Sequence, residues 1–221
     1  MSDLEFDANQ PSLRERFLRN LQRVRHIVEH EEWLASRRLA NVEKNLPSPL
    51  TEGDLLRASV VLLHSTLEDL LRSVAASRLP TASPEILGRI PFPRVDNRDL
   101  QRKTTFTFED LAVYRGRTVD FVIETAVDAF LERSNYNNLG EIVSLLIAVG
   151  LDPELVKPHA RDLTLMITRR HAIVHQTDSD SSKRFSLALS PIDPEDVTRW
   201  AALVEIFGES LLQSLGSLGN L

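Results

Sequence analysis

The sequence predicts an all-α fold: a helical bundle carrying one long irregular insertion, with a short β-ribbon as its extended element. Three observations carry the prediction. Apolar residues recur at spacings of three and four through most of the chain, as in helices that bury one face. The 11 prolines fall between these periodic stretches or at their edges, where they cost the least helical hydrogen bonding. Polar–apolar alternation, the mark of a half-buried strand, is confined to short runs.

Taken in order, residues 1 to 11 read as a flexible tail ending at Pro11. Ser12 is an N-cap, and Glu15 completes a capping box. Phe17, Leu21, Val24 and Val28 then recur at helical spacing, and the pattern runs on through Trp33, Leu34, Leu39 and Val42 before Pro47 and Pro49. This N-terminal helix, within residues 12–46, carries Arg14, Arg16, Arg19, Arg23, Arg25, Arg37 and Arg38. Those arginines fit a solvated face laced with Glu29, Glu31, Glu32 and Glu43, or a surface that tracks a phosphate backbone. Thr51 offers the next N-cap, with Glu52 and Asp54 favouring a helix start. Leu56, Val60, Leu63, Leu67, Leu70 and Val74 form the cleanest stripe in the chain, expected as a central core helix ending at Leu79-Pro80. His64 and Glu68 lie one turn apart on it, within reach of each other.

Residues 80 to 117 form the insertion, where Pro80, Pro84, Pro91 and Pro93 exclude a long helix. Lys103 to Phe108 alternates like a strand, and Arg184 to Leu189 is a candidate partner for a two-stranded ribbon. Val119, Val122, Ile123, Ala126, Val127, Phe130 and Leu131 restore helical spacing, and Asn135-Tyr136-Asn137-Asn138 is turn chemistry. Leu139 to Val149 reads as a short apolar helix closed by Gly150. Asp152-Pro153-Glu154 and Asp193-Pro194-Glu195 each open a helix with an N-cap, a proline and an acid. Pro158 divides a turn from a helix of about residues 159–177, which ends in the polar loop Asp178 to Ser182. Val197, Trp200, Val204, Phe207 and Leu211 mark a C-terminal core helix before a Ser/Gly-rich tail. Nothing signals a second hydrophobic core, so residues 1–221 are read as one domain.

Composition excludes several function classes. A net charge of −6 argues against a general nucleic-acid coat, whose affinity rests on counterion release by a basic surface, although a local basic cleft is compatible with it. Zero cysteines exclude disulfides and thiolate metal sites. The acidic start lacks a basic-then-apolar leader, and no apolar run approaches the roughly 20 residues of a membrane span. A cytoplasmic protein without membrane attachment is the expectation. No glycine-rich phosphate loop, dinucleotide fingerprint or nucleophile elbow is present.

Polar chemistry concentrates instead at Arg169-Arg170-His171-Ala172-Ile173-Val174-His175, inside a helix whose apolar stripe is Leu163, Met166, Ile167, Ile173 and Val174. Arginine keeps its charge and histidine titrates near neutrality, a combination suited to binding phosphate and moving protons. His171 and His175 share a face, so a metal reading must be weighed. It would need a third ligand, Asp178 or His159, and no HExxH glutamate accompanies the pair. Metal-free cleavage of RNA through its own 2′-hydroxyl needs a base, an acid and a cation for the pentacoordinate phosphate, and histidine and arginine supply all three. Arg170 and His175 are roughly 140° apart on an ideal helix. A shared cleft therefore needs a distorted helix or a second subunit.

The segment Arg170-His171-Ala172-Ile173-Val174-His175 resembles the signature of the HEPN superfamily: an arginine, a polar residue and a following histidine, late in an all-α bundle. Leu67-Glu68-Asp69-Leu70-Leu71 is similar to the acid-bearing helix of HEPN domains of the RiboL-PSP kind. The resemblance spans roughly residues 51 to 215 and leaves the N-terminal helix and the insertion outside the minimal pattern. It implies an HEPN-like helical bundle and a metal-independent endoribonuclease that needs no cofactor. The active site would form where two copies of the motif meet in a homodimer. By position, Arg170 would bind and stabilise the scissile phosphate, His175 would act as general acid or base, and His171 would stand at the family's polar position. Arg169 is an alternative motif arginine, and Glu68 and His64 are supporting candidates. The family serves in toxin–antitoxin, anti-phage and RNA-processing systems, so an antitoxin or sensor protein is an expected partner beside RNA. Some HEPN-like bundles have no nuclease activity and act as nucleotide- or protein-binding and dimerisation modules, which is the alternative.

Overall fold

The structure, a computed structural model, describes residues 12–39, 53–92, 108–176, 178 and 189–218. Its centre is the helix with the cleanest stripe. α1 spans Leu13–Leu39, α2 Asp54–Arg78, α3 Pro84–Leu87, α4 Phe108–Ala112, α5 Val119–Arg133, α6 Leu139–Ala148, α7 Ala160–Gln176 and α8 Pro194–Leu218. α2 packs against α1, α5, α6, α7 and α8. That position explains why it buries polar residues, Arg57, Ser59, His64, Thr66 and Glu68, along with its leucines. A helix enclosed on several sides cannot keep a wholly polar face. The described residues contain helices, turns and loops and no strand, so the fold is all-α.

α1 begins as expected. The Ser12 N–H donates to the Glu15 carboxylate and the Glu15 N–H donates to the Ser12 hydroxyl, satisfying two donors that the first turn would orphan. Phe17, Leu21, Val24 and Val28 enter the same buried cluster as the stripes of α2, α7 and α8. Contact with α8 is tight: a Cβ at Gly208 would collide with the Phe17 ring. Arg14 and Arg25 pair with Glu209 and Glu205 of α8, and Arg16 pairs with Asp69 of α2. The acids that these three arginines meet thus belong to other helices, and Glu31, expected on the solvated face, is buried and accepts the Gly53 N–H. The expected continuation of this helix through Val42, and the Thr51 cap, lie outside the described residues. Gly53 caps α2 instead, with φ +82°. A side chain there would be strained, and its Cβ would meet Ile192 at 2.8 Å.

The insertion breaks into small pieces: a 3₁₀ turn Leu79–Thr81, α3 and α4. Of the expected ribbon only Phe108 and Leu189 are described, and Leu189 makes an isolated β-bridge. Phe108, expected at the end of a strand, opens α4 with 89% of its surface exposed. Residues 103–107 and 184–188 lie outside the described residues. α5 follows with Thr118 as its N-cap, but only Val127 and Leu131 of its apolar residues are buried. The two Asp-Pro-Glu openings use the same device, with Asp152 and Asp193 each accepting from the glutamate N–H at 2.9 Å. The first opens a 3₁₀ segment, Pro153–His159, which delivers the chain into α7. Gly150 takes the positive φ expected after α6. The Ser/Gly-rich tail is corrected, because α8 runs through Ser214, Gly216 and Ser217 to Leu218. Its serine hydroxyls bond back to carbonyls of the preceding turn, while Leu211 and Leu215 face the core.

Candidate active site

α7 is an unbroken helix from Ala160 to Gln176, so its residues project on fixed bearings. Leu163, Met166 and Ile167 are buried against the core. Thr168, His171 and His175 are exposed on another face, Arg169 leaves from a flank, and Arg170, seven residues after Leu163, continues the buried stripe. The histidine rings lie 4.6 Å apart, centroid to centroid, and tilted. Among the described residues no hydrogen bond, ion pair or ring contact joins either histidine to Arg170.

Arg169 enters a buried ionic clamp. Its Nη2 donates to Asp178 Oδ2 at 2.8 Å and to the Ser190 carbonyl at 2.9 Å. Arg57 of α2 grips the same two acceptors, with Nε on Asp178 Oδ2 at 2.7 Å and Nη2 on the Ser190 carbonyl at 2.8 Å. Asp178 is 1% exposed and takes a left-handed backbone with φ 55°, a conformation aspartate tolerates better than most residues. This geometry removes Asp178 as a third metal ligand, because two guanidinium groups already hold its carboxylate. His159 packs on Phe207 at the far end of α7. It lies 16 residues from His175, about 24 Å along the helix.

Arg170 leaves in line with Leu163 and Ile167 at the end of the buried stripe and is half-buried. Its Nη1 donates to Asn137 Oδ1 at 3.4 Å, and its buried Nε has no hydrogen-bond acceptor. Asn137 belongs to the turn between α5 and α6, which is fastened from both sides. On α2, Arg72 donates twice to the Ser134 carbonyl, at 3.1 and 2.8 Å. Glu68 Oε1 accepts the Tyr136 N–H at 3.2 Å, and its Oε2 lies 3.6 Å from Arg72. His64 Nε2 lies 3.3 Å from the Tyr136 carbonyl, which fixes that nitrogen as the donor. On α6, Glu141 accepts the Asn137 N–H at 2.6 Å, while Asn138 caps the helix by accepting the Glu141 N–H at 3.0 Å.

His64 is fully buried, and its Nδ1 faces Glu68 at 3.8 Å without a hydrogen bond. Burial holds its pKa below the ordinary histidine range. Glu68 opposes that shift, and the positive charges of Arg170 and Arg72 reinforce it. His64 is therefore a neutral imidazole beside Arg170. Burial likewise pushes the Tyr136 phenol up to about 12, so it stays protonated. On the outer side of the turn a groove of about 830 Å³ opens, lined among others by Phe130, Arg133, Tyr136 and Asn138.

Of the six residues singled out in the sequence, His64, Glu68 and Arg170 gather around one turn. His171 and His175 stand together on a different face, and Arg169 is fixed in the Asp178 clamp. Asn137 escaped sequence reading. Its only signal was a cluster of asparagines, which marks a turn and says nothing of what the turn touches.

The RiboL-PSP-HEPN family model matches residues 19–217. Most of α1 and the whole insertion thus lie within the family's span, beyond the stretch of roughly 51 to 215 on which the motif resemblance rested. No curated protein and no solved structure matches the chain significantly. HEPN domains are often ribonucleases, and they often bind RNA and dimerise. No described helix is long and apolar enough to cross a membrane. Matched over nearly its whole length, this chain belongs to the RiboL-PSP-HEPN family.

Proposed function

We propose that this protein is a metal-independent endoribonuclease acting on single-stranded or loop RNA, in which two copies of α7 complete one site. One observation carries the proposal. Among the described residues Arg170 forms no ion pair, although its neighbour Arg169 shares a buried carboxylate with Arg57. A half-buried guanidinium held by a neutral amide keeps its full charge for a phosphate.

In the chemistry proposed, a histidine takes the proton of the 2′-hydroxyl as O2′ bonds to phosphorus. The bond from phosphorus to O5′ breaks, and a second protonated group supplies the leaving oxygen. The products carry a 2′,3′-cyclic phosphate and a 5′-hydroxyl. Arg170 meets the charge that grows on the phosphoryl oxygens. His175, with His171 beside it, moves protons. Because α7 is unbroken, the roughly 140° between Arg170 and His175 favours pairing the arginine of one copy with the histidine of its partner. The exposed face of α7, with Thr164, Leu165, Thr168 and the two histidines, is the surface proposed for that contact. A two-fold dimer brings the same face together twice. The groove beside the Asn137 turn offers room for flanking nucleotides. A defence or toxin–antitoxin role, with a protein that restrains the enzyme, accords with the family.

The test is cleavage of a mixed RNA in excess EDTA by the wild type, Arg170→Ala and His175→Ala. Cleavage by the wild type alone, with a loss of about 10²–10³-fold in the arginine variant, is expected. Full activity in both variants would refute the assignment. No cleavage by any of them would make the chain a binding module of the same fold.

A further inference from the structure

We propose that Asn137 is the positioning residue for Arg170: its side-chain carbonyl orients the guanidinium without neutralising it. This inference rests on the ribonuclease assignment of Arg170 and deepens it. A long arginine side chain loses catalytic value when it samples several rotamers, because stabilisation depends on a donor already aimed where charge develops. A carboxylate would aim it more firmly, as Asp178 does for Arg169, but would also cancel the charge the phosphate needs. A neutral amide avoids that conflict. The contact from Arg170 Nη1 to Asn137 Oδ1, at 3.4 Å, is the hydrogen bond that holds Arg170 from outside its own helix among the described residues.

The amide can do this because its backbone is held independently of its side chain. Four fastenings of the turn use its main-chain atoms and none uses the side chain of residue 137: the Ser134 carbonyl to Arg72, the Tyr136 N–H to Glu68, the Tyr136 carbonyl to His64 and the Asn137 N–H to Glu141. The charges nearest the contact are largely engaged with one another or with that backbone. Glu68 faces Arg72 and the Tyr136 N–H, and Glu141 accepts the Asn137 N–H. A substitution at residue 137 therefore changes what Arg170 meets and leaves the turn in place.

The experiment compares wild type, Asn137→Ala and Asn137→Asp by nitrogen-15 NMR of the arginine side chains, with Arg170 assigned through Arg170→Lys, and by RNA cleavage across pH. In Asn137→Ala the Arg170 Nε–H signal should shift and report freer motion. The kcat should fall by about 10²-fold with little change in KM, while thermal unfolding stays at the wild-type temperature. In Asn137→Asp the new carboxylate pairs with Arg170, so cleavage is low at neutral pH. It should recover relative to the wild type as acid protonates that carboxylate, a profile that a merely structural residue would not give. An unchanged Arg170 signal with wild-type cleavage in Asn137→Ala would overturn the proposal. So would an Asn137→Asp pH profile parallel to the wild type. If the wild type cleaves no RNA, the ribonuclease assignment fails, and the Arg170 signal alone decides whether Asn137 orients the guanidinium.

Discussion

Arg169 and Arg170 are consecutive on one helix, yet the two regions they enter hold them in opposite ways. On one flank of α7, two guanidinium groups close on a single buried carboxylate and a shared backbone carbonyl. At the end of the buried stripe, one guanidinium meets a neutral amide at the edge of a turn. The first arrangement, with Asp54 also 3.6 Å from Arg57, sets two carboxylates against two cations and ties three segments of chain together: α2, the end of α7 and the approach to α8. The second conserves charge and ties down little. A cation whose role is to hold the fold is matched by an anion; a cation reserved for a ligand is oriented by dipoles. The contrast gives adjacent, chemically identical residues different expected phenotypes.

The largest effect should come from the clamp. Asp178→Ala removes the buried carboxylate that Arg57 and Arg169 share, while Asp54 still lies 3.6 Å from Arg57, and removing one partner of a buried pair costs about 3–5 kcal/mol. Urea unfolding measures it. A loss below about 1 kcal/mol would mean that water already solvates the clamp. Arg170→Ala should leave the unfolding midpoint within about 0.5 kcal/mol of wild type, as expected where no such network is broken. Its effect belongs to cleavage. A destabilisation equal to that of Asp178→Ala would erase the distinction between the two regions.

A smaller effect is expected at Glu68→Ala, which leaves the Tyr136 N–H without its acceptor and removes the carboxylate 3.6 Å from Arg72. Loss of that buried bond should cost about 1–3 kcal/mol, and it should slow cleavage indirectly by loosening the turn that carries Asn137. The smallest effect is a pH dependence. His64 is buried as a neutral imidazole with a lowered pKa, chiefly through burial. The unfolded chain takes up a proton near the ordinary histidine value of about 6.5, and the native protein does so only at lower pH. Stability from this group is thus complete above that value and is lost as pH falls toward the folded pKa. Between pH 8 and pH 5 the wild type should lose more stability than His64→Gln. Equal losses would show that His64 is protonated as readily in the native state as in the unfolded chain.

The helices and their order were legible because burial imposes a period, and α1, α2 and α8 carry it cleanly through Phe17, Leu63 and Phe207. Caps were legible where one side chain does the work, as at Ser12 and Asp152. The motif residues Arg170 and His175 could be picked out by residue type and spacing. Three things were not legible. Phe108, expected as the last residue of a strand, is the first of α4, a boundary that the alternation before it does not announce. The fate of Arg169 depended on Asp178 folding back in a left-handed turn, which no local pattern announces. Asn137 lies 33 residues from Arg170, and the packing of α7 on α2 and α6, with the α5–α6 turn fastened to α2, brings the two together.

The central claim is that Arg170 and His175 serve one site from different copies of α7. Mixing Arg170→Ala with His175→Ala tests it most directly, once each variant alone has been found inactive and dimeric. After subunit exchange, a mixed dimer retains one intact arginine and one intact histidine on opposite copies. The account predicts that cleavage in EDTA returns to a clear fraction of the wild-type rate, with 2′,3′-cyclic phosphate ends. A mixture that exchanges subunits and still cleaves nothing would contradict it.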